Sequence, residues 1–353
     1  MALVYYMIHP KIAAYLFLAT KDIYYAAFFL LFYMLLYMVF FRNKKAEAKW
    51  YILLALAIAG MIVFRNEGKY IVAATMLSCL LLKDVRRSAG LYLAEIFLVL
   101  LVIEKVVYPA LNVGVSKYAP AEMLSILFQQ TARYVKDAGG EVTEEEREAI
   151  DAVLDYEGLA ENYDPNISDS VKRTYRGDND YLKNYFRVWI KMFFKHPEIY
   201  IQATMNNYYQ YFYWGSKFTE YYSYSYSRFC MENINARLGT DFAYPDSLNI
   251  LRDELESLRE DIFKLPILDL IQTPALYTWT ILALMFFCIR ERSRKGIVFL
   301  VPALTHILVL VSGPTNGYYG RYQVPMVVYL PIAVTILMKI IRSDQESGKE
   351  DLL

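Results

Sequence analysis

Cysteine and histidine are scarce in this chain, which has 353 residues but only 3 cysteines and 3 histidines. Cys79, Cys230 and Cys288 form no recognisable spacing motif, so no disulfide framework is predicted. The histidines are too few and too far apart to predict a metal site or a catalytic triad, and we expect neither metal nor cofactor. Lysine and arginine number 37 and aspartate and glutamate also number 37. This balance argues against nucleic acid as a partner.

Hydrophobic residues make up 56% of the chain and are concentrated towards its two ends. A bilayer core about 30 Å thick requires roughly 20 apolar helical residues. The candidate spans are residues 23–41, 50–64, 70–82, 90–108, 273–289, 296–311 and 324–338. Two of them, 50–64 and 70–82, are short. They are either short spanning helices whose flanking side chains snorkel to the membrane surface, or a re-entrant pair. We therefore predict an all-α, polytopic transmembrane bundle of about seven spans.

Lysine and arginine are unevenly divided between the two sets of connections. Most of them lie in 42–49, in 83–87, in 290–295 and after residue 338, which the positive-inside rule assigns to the cytoplasm. The predicted organisation has four parts: a transmembrane region 1–108, a large helical extracytoplasmic domain 109–272 between the fourth and fifth spans, a transmembrane region 273–342, and a cytoplasmic tail 343–353. The predicted location is the cytoplasmic membrane.

The same rule places the amino terminus outside. Residues 3–20 are apolar but interrupted by His9, Pro10 and Lys11, which is typical of a lining or re-entrant segment rather than of a span. We interpret the chain as the carboxy-terminal part of a protein with further helices upstream, and the alternative is an exported short tail.

The segment 109–272 has mostly helical patterns. Thr143 is followed three residues later by Glu146, a capping box that predicts the start of a short helix. The aromatic run 208–226 favours either an interfacial belt or a platform for glycans. His306 lies within a candidate span, where a buried, hydrogen-bonded side chain is favoured over a proton relay.

Charged residues gather at the predicted outer ends of the spans. Lys21 and Asp22 precede the first clean span, and Tyr318, Arg321 and Tyr322 lie between the last two spans. A further set lies at the tip of the second hairpin: Arg65, Glu67 and Lys69. If the helices form one bundle, these three sets line one external pocket at the depth of the lipid headgroups.

Such a pocket has chemistry suited to a lipid-linked phosphate. Arginine matches phosphate oxygens in a bidentate manner, and a neighbouring carboxylate can act as general base on a hydroxyl. The alternative is that these cations contact anionic headgroups and carboxylates of other helices. Gln129, Gln130 and Arg133, which open the external segment, suit sugar hydroxyls, and a solvated helix face explains them equally well.

The order of these motifs resembles that in bacterial multi-spanning proteins related to the GT-C superfamily, the membrane glycosyltransferases that use polyprenyl-phosphate-linked sugars. The likeness runs over most of the chain from about Pro10. It rests on several short stretches, none of them specific by itself: Lys21-Asp22, Arg65-Asn66-Glu67-Gly68-Lys69-Tyr70, Gln129-Gln130-Thr131-Ala132-Arg133, Asp164-Pro165-Asn166-Ile167-Ser168-Asp169 and Arg321-Tyr322.

The resemblance implies sugar transfer outside the cytoplasmic membrane, generally with inversion. It implies contacts with the carrier phosphate for Lys21, Arg65 and Arg321, to which the charge pattern adds Lys69. Asp22 matches the acidic residue of the family's Lys-Asp motif. Asp22 and Glu67 are the two candidates for the catalytic base. The family's usual catalytic carboxylate precedes the matched region.

The expected partners are a polyprenyl-phosphate-linked sugar, membrane lipids and other proteins of cell-envelope assembly. The expected sugar or acceptor contacts are Gln129, Gln130, Arg133, Tyr318 and Tyr322. The alternative functions are a polysaccharide or lipid-linked-sugar transporter or flippase, and a non-catalytic membrane scaffold.

Overall fold

A computed structural model describes residues 2–12, 20–42, 47–114, 118–217, 224–243, 245–313 and 320–350. Within these ranges the regular structure is helical, and the only β-type pairings are two isolated bridges, Leu154 with Tyr175 and Asp164 with Ile167. The prediction of an all-α chain is confirmed for this part of the sequence.

The apolar ends of the chain form one helix bundle. Its helices are α1 (Ala2–Ile8), α2 (Lys21–Leu36, extended by a π-helical turn Tyr37–Phe41), α3 (Ala48–Phe64), α4 (Glu67–Cys79), α5 (Arg86–Val102, extended by a π-helical turn Ile103–Val107), and, after the long middle segment, α16 (Pro274–Arg290), α17 (Arg294–Ser312) and α18 (Val324–Glu350). Among the described residues, three stretches are long and apolar enough to cross a membrane: Lys21–Phe41, Arg294–Ser312 and Arg321–Asp344. The helices α3 and α16 are apolar but shorter.

Helices from the two ends of the sequence pack against each other in the bundle. The helix α2 packs against α3 and α18, while α17 packs against α4, α16 and α18. Their shared core is rich in aromatic rings, with Tyr33 stacked on Tyr329 at 4.4 Å between ring centroids. A single bundle therefore joins residues that are some 300 positions apart in the sequence.

Hydrogen bonds that involve tyrosine hydroxyl groups hold the short helix α1 against this bundle. The Tyr5 hydroxyl donates to the carbonyl of Val327 at 3.0 Å, and the Tyr6 hydroxyl donates to the carbonyl of Val328 at 2.5 Å. His9, which is fully buried, lies 2.7 Å from the hydroxyl of Tyr277 through its Nε2 atom. These contacts hold the beginning of the chain against α16 and α18.

The middle segment has a second hydrophobic core. It is built by α6 (Ala119–Met123), α7 (Ser125–Asp137), α8 (Glu144–Asp151), α9 (Tyr156–Asn162), α10 (Asp169–Lys172), α11 (Leu182–Lys195) and α12 (Pro197–Tyr208). The predicted capping box is confirmed, since the Thr143 hydroxyl accepts from the amide of Glu146 and the Glu146 carboxylate accepts from the amide of Thr143. Three helices follow: α13 (Tyr224–Leu238), α14 (Asn249–Phe263) and α15 (Pro266–Ile271).

The two cores meet where the chain leaves α12. The turn Tyr209–Tyr211 packs on α16, and α12 touches α17. The indole of Trp279 donates to the carbonyl of Phe212 at 2.9 Å, and Lys217 pairs with Asp269 at 2.7 Å. These contacts bring the aromatic turn of the middle segment to one end of the bundle.

Candidate functional site

Three separate parts of the chain meet at this end of the bundle. They are the start of α2, the tight connection between α3 and α4, and the turn that precedes α18. All three lie at the same end because α2, α4 and α18 begin there while α3 and α17 end there. The predicted charged residues of these parts are thus brought to one end of the fold.

Arg65 is the centre of the cluster that forms there. A guanidinium nitrogen of Arg65 pairs with the Asp22 carboxylate, and its Nε atom lies 2.8 Å from Oε1 of Glu67. The exposed fractions of these side chains are 12% for Arg65, 6% for Asp22 and 14% for Glu67, so the ion pairs are largely removed from solvent. The two carboxylates belong to different helices, α2 and α4, and together they fix the orientation of the guanidinium.

The connection between α3 and α4, which contains Arg65, is short because residue 68 is a glycine. The Arg65 amide donates to the carbonyl of Met61, and the amide of Gly68 donates to the carbonyl of Arg65. A Cβ atom at Gly68 would lie 2.2 Å from the backbone oxygen of Met61, so no larger residue fits without moving the backbone. The absence of a side chain at Gly68 therefore lets α4 start immediately after α3 and sets the position of Arg65.

Aromatic rings enclose the cluster. The guanidinium carbon of Arg65 lies 4.8 Å from the ring centroid of Tyr322 and 5.7 Å from that of Tyr25, distances at which cation–π attraction operates. Tyr211 of the middle segment is only 3% exposed and lies near enough to the cluster to interact electrostatically with Arg65 and Glu67. Burial raises the pKa of the Tyr211 phenol, Tyr322 adds to the rise, and the charge of Arg65 opposes it.

The cluster of Asp22, Arg65 and Glu67 has two formal negative charges and one positive charge. Burial raises the pKa of the Glu67 carboxyl above its ordinary value, and the nearby Arg65 opposes this rise. A carboxylate whose proton affinity is increased by desolvation, yet which keeps a cationic partner, has the properties of a general base.

The other basic residues predicted for the site, Lys21, Arg321 and Lys69, differ in their contacts. Lys21 is exposed and its charge acts on Glu67. Arg321 is also exposed, donates to the Tyr322 hydroxyl at 3.0 Å and lies 4.9 Å from that ring. Lys69 instead lies 5.0 Å from the ring of Tyr70. Tyr318 is outside the residues that the structure describes.

The predicted sugar contacts on α7 have partners within the middle segment, Gln129 and Gln130 in its core and Arg133 nearer its surface. The Gln129 amide donates to the carbonyls of Asp164 and Ile167 at 3.0 and 2.9 Å. Gln130 donates to the Thr204 hydroxyl at 2.7 Å. Arg133 pairs with its helix neighbour Asp137 at 3.0 Å and donates to Gln202 at 2.6 Å, so it too has structural partners. Contact of these three residues with a sugar stays a prediction.

Polar side chains continue from the cluster into the bundle. His306 on α17 is fully buried, and its Nε2 atom lies 2.9 Å from the carbonyl of Tyr322. The expectation of a buried, hydrogen-bonded histidine is confirmed. Its Nδ1 atom and the Tyr25 hydroxyl are also buried, and neither has a hydrogen-bond partner among the described residues.

Two enclosing residues, Tyr25 and Tyr211, were absent from the sequence-based prediction. Tyr25 lies one turn after Asp22 on the same helix face, and this spacing is a signal that would have identified it. Tyr211 had no signal beyond its place in the aromatic run. From residue 218 onward, the side chains of that run lie outside the part that the structure describes.

No group of three or more histidine, cysteine, aspartate or glutamate side chains within the described ranges is placed to hold a metal ion. No curated protein and no solved structure matches the chain. A family model matches residues 1–351. The chain therefore belongs to the family with the description "Family of unknown function (DUF6020)".

Proposed function

We propose that this protein is a membrane glycosyltransferase, or the carboxy-terminal part of one. It transfers a sugar from a polyprenyl-phosphate carrier to a cell-surface glycan, lipid or protein. The observation that carries the proposal is the buried Asp22–Arg65–Glu67 cluster, which lies at one end of an apolar bundle beneath Tyr322. A base beside exposed cations suits a reaction that releases a lipid phosphate.

The proposed topology places this cluster at the outer face of the cytoplasmic membrane. Seven spans then cross the bilayer, and residues 109–272 form an extracytoplasmic domain. The basic residues at the opposite end of the bundle, such as Arg290 and Arg294, support this orientation through the positive-inside rule. The junction of the two cores supports it as well, because it places Tyr211 at the cluster.

In the proposed reaction, Glu67 accepts the proton of the acceptor hydroxyl. The hydroxyl oxygen attacks the anomeric carbon and forms the new glycosidic bond. The bond between that carbon and the phosphate oxygen breaks, and its electron pair leaves with the lipid phosphate. Desolvation of Glu67 increases its proton affinity, which suits this carboxylate to the role of base. Asp22 holds Arg65 in position.

The cations have separate roles in this proposal. Lys21 and Arg321 are exposed next to the cluster and stabilise the departing phosphate. Arg65 uses one terminal nitrogen and Nε for the two carboxylates. A guanidinium has five N–H donors, so Arg65 retains further donors for a phosphate oxygen. Tyr322, which is partly exposed, is the proposed contact for the sugar or the acceptor.

The test is transfer of radiolabelled sugar from polyprenyl-phosphate donors to endogenous acceptors in membranes that contain this chain. Removal of a general base lowers rates by roughly 10²- to 10⁴-fold, and we expect a loss of that order for Glu67→Gln. Arg321→Ala should also depress transfer strongly. Lys83→Ala, at the opposite end of the bundle, is the matched basic control. Transfer that is unchanged in Glu67→Gln would refute the assignment of the base.

One observation favours transport as a second candidate. Polar atoms of His306 and Tyr25 are buried within the bundle beside the cluster, where transporters hold substrates and protons. Reconstituted vesicles distinguish the two functions. Movement of lipid-linked sugar between leaflets without glycosidic bond formation would favour the transporter, whereas transfer without such movement would favour the enzyme.

A further inference from the structure

The helix α14 has an exposed apolar stripe. Leu251, Leu255, Leu258 and Ile262 have exposed fractions of 52%, 54%, 55% and 38%. They recur at alternating intervals of four and three residues, which places them on one face of the helix. Leu248, just before the helix in the sequence, and Leu265, just after it, continue the same spacing.

The described part of the chain leaves this stripe exposed. The main described contacts of α14 are with its flanking turn, α13 and α15, and the four side chains remain exposed despite them. An isolated helix of 15 residues is marginal in water, because packing of an apolar face supplies most of the stability of short helices. A partner that covers the stripe would therefore stabilise α14.

We propose that the stripe pairs with α14 of a second copy of this chain, as a short parallel coiled coil. The apolar residues of the helix occupy the a and d positions of the heptad, with leucine at both d positions, Leu251 and Leu258. Leucine at d is typical of two-stranded parallel coiled coils.

The charges beside the stripe select the parallel arrangement. Glu254 occupies a g position and Arg259 occupies the following e position. In a parallel pair these two positions of opposite copies face each other, so the sequence sets an acidic position opposite a basic one in each direction. In an antiparallel pair, g positions would face g positions and e positions would face e positions. The acidic g residues Glu254 and Asp261 would then face each other, and Arg252 at e would face another basic position.

The proposed membrane topology agrees with this arrangement. Two copies in one bilayer have the same orientation when a twofold axis runs along the membrane normal. Helices that run along such an axis pair in parallel. The pairing depends on the stripe and its charges rather than on the proposed enzyme activity, so each proposal can fail separately.

Disulfide cross-linking of the full-length chain in native membranes tests the pairing. Leu258→Cys places a thiol on the stripe, and the control Asp253→Cys places one on the opposite face of the same helix. We expect oxidation to give several-fold more covalent dimer for Leu258→Cys than for Asp253→Cys or for wild type, whose own cysteines set the baseline. Equal amounts would overturn the proposal, as would exclusive labelling of Leu258→Cys by a lipid-embedded probe.

The direction of pairing needs two further measurements. Co-expressed copies with Leu251→Cys and Ile262→Cys should not cross-link to each other, and their cross-linking would indicate an antiparallel pair and overturn the proposal. Glu254→Arg should lower the dimer yield of Leu258→Cys, and the charge exchange Glu254→Arg with Arg259→Glu should restore it. Failure of the exchange to restore the yield, after a loss in the single variant, would also contradict the parallel register.

Discussion

The guanidinium carbon of Arg65 and the ring centroid of Tyr322 are 4.8 Å apart. This contact joins the connection between α3 and α4 to the turn before α18, two parts of the chain more than 250 residues apart. The same arginine is paired with Asp22 on α2 and with Glu67 on α4. Arg65 thus ties together the parts of the chain that form the candidate site.

The ring of Tyr322 should contribute to stability through this contact. Tyr322→Leu removes the ring, and we expect a loss of about 0.5–2 kcal/mol in the free energy of unfolding, the range for cation–π pairs. Tyr322→Phe keeps the ring face and removes only the hydroxyl to which Arg321 donates. Thermal unfolding in detergent should therefore rank wild type and Tyr322→Phe above Tyr322→Leu. Equal unfolding of the leucine and phenylalanine variants would contradict this role.

Loss of Arg65 should destabilise the protein more than loss of the ring. Arg65→Ala leaves Asp22 and Glu67 buried without their cation, and breaking a buried ion pair costs about 3–5 kcal/mol. Combining it with Asp22→Asn and Glu67→Gln removes both stranded charges, so part of the loss should be recovered. The unfolding temperatures of the single and triple variants check this. A triple variant no more stable than Arg65→Ala would show that the stranded charges are not the cause.

Gly68 and Gly90 form a matched pair of helical glycines. Gly68→Ala forces a Cβ atom against the backbone of Met61, and we expect a loss of about 1–3 kcal/mol, as for overpacked sites. Gly90 has open space around the corresponding position, so Gly90→Ala should be neutral or stabilise α5 by up to about 1 kcal/mol. Thermal unfolding of both variants gives the comparison, and similar effects at the two sites would contradict the geometry of the connection.

The second core should lose stability as pH rises through the titration of His196. Its ring nitrogens lie 3.0 Å from Glu141 and 3.0 Å from Glu198, and hydrogen bonds with Glu141 and then Glu198 raise the pKa of His196. A raised pKa means that the folded state binds the proton more tightly. The stabilisation is complete below the unfolded-state pKa of about 6.5 and disappears above the folded-state value.

Limited proteolysis of the middle segment across this pH range measures the effect. Wild type should become more susceptible as pH rises from about 6 to 8. His196→Gln keeps a polar side chain but does not titrate, so its susceptibility should change less. An identical pH dependence in the two proteins would exclude His196 as the origin.

Local features of the structure could be read from sequence because they depend on neighbouring residues. The capping box of Thr143 and Glu146 needs only a spacing of three, and the apolar helices follow from runs of apolar residues. The roles of Gln129 and Gln130 could not be read in this way. Their partners Asp164, Ile167 and Thr204 come from elsewhere in the second core, where folding supplies acceptors for buried amide N–H groups.

The sequence by itself determined that the chain is helical, that its ends are apolar enough for membrane helices, and that charges follow the ends of those helices. These properties depend on composition and periodicity along one segment. Only the tertiary structure decided that Asp22 and Glu67 share Arg65, and that Tyr25, Tyr211 and Tyr322 enclose it. Ion pairs and ring contacts act over a few ångströms, so they depend on how distant helices pack, which no local pattern encodes.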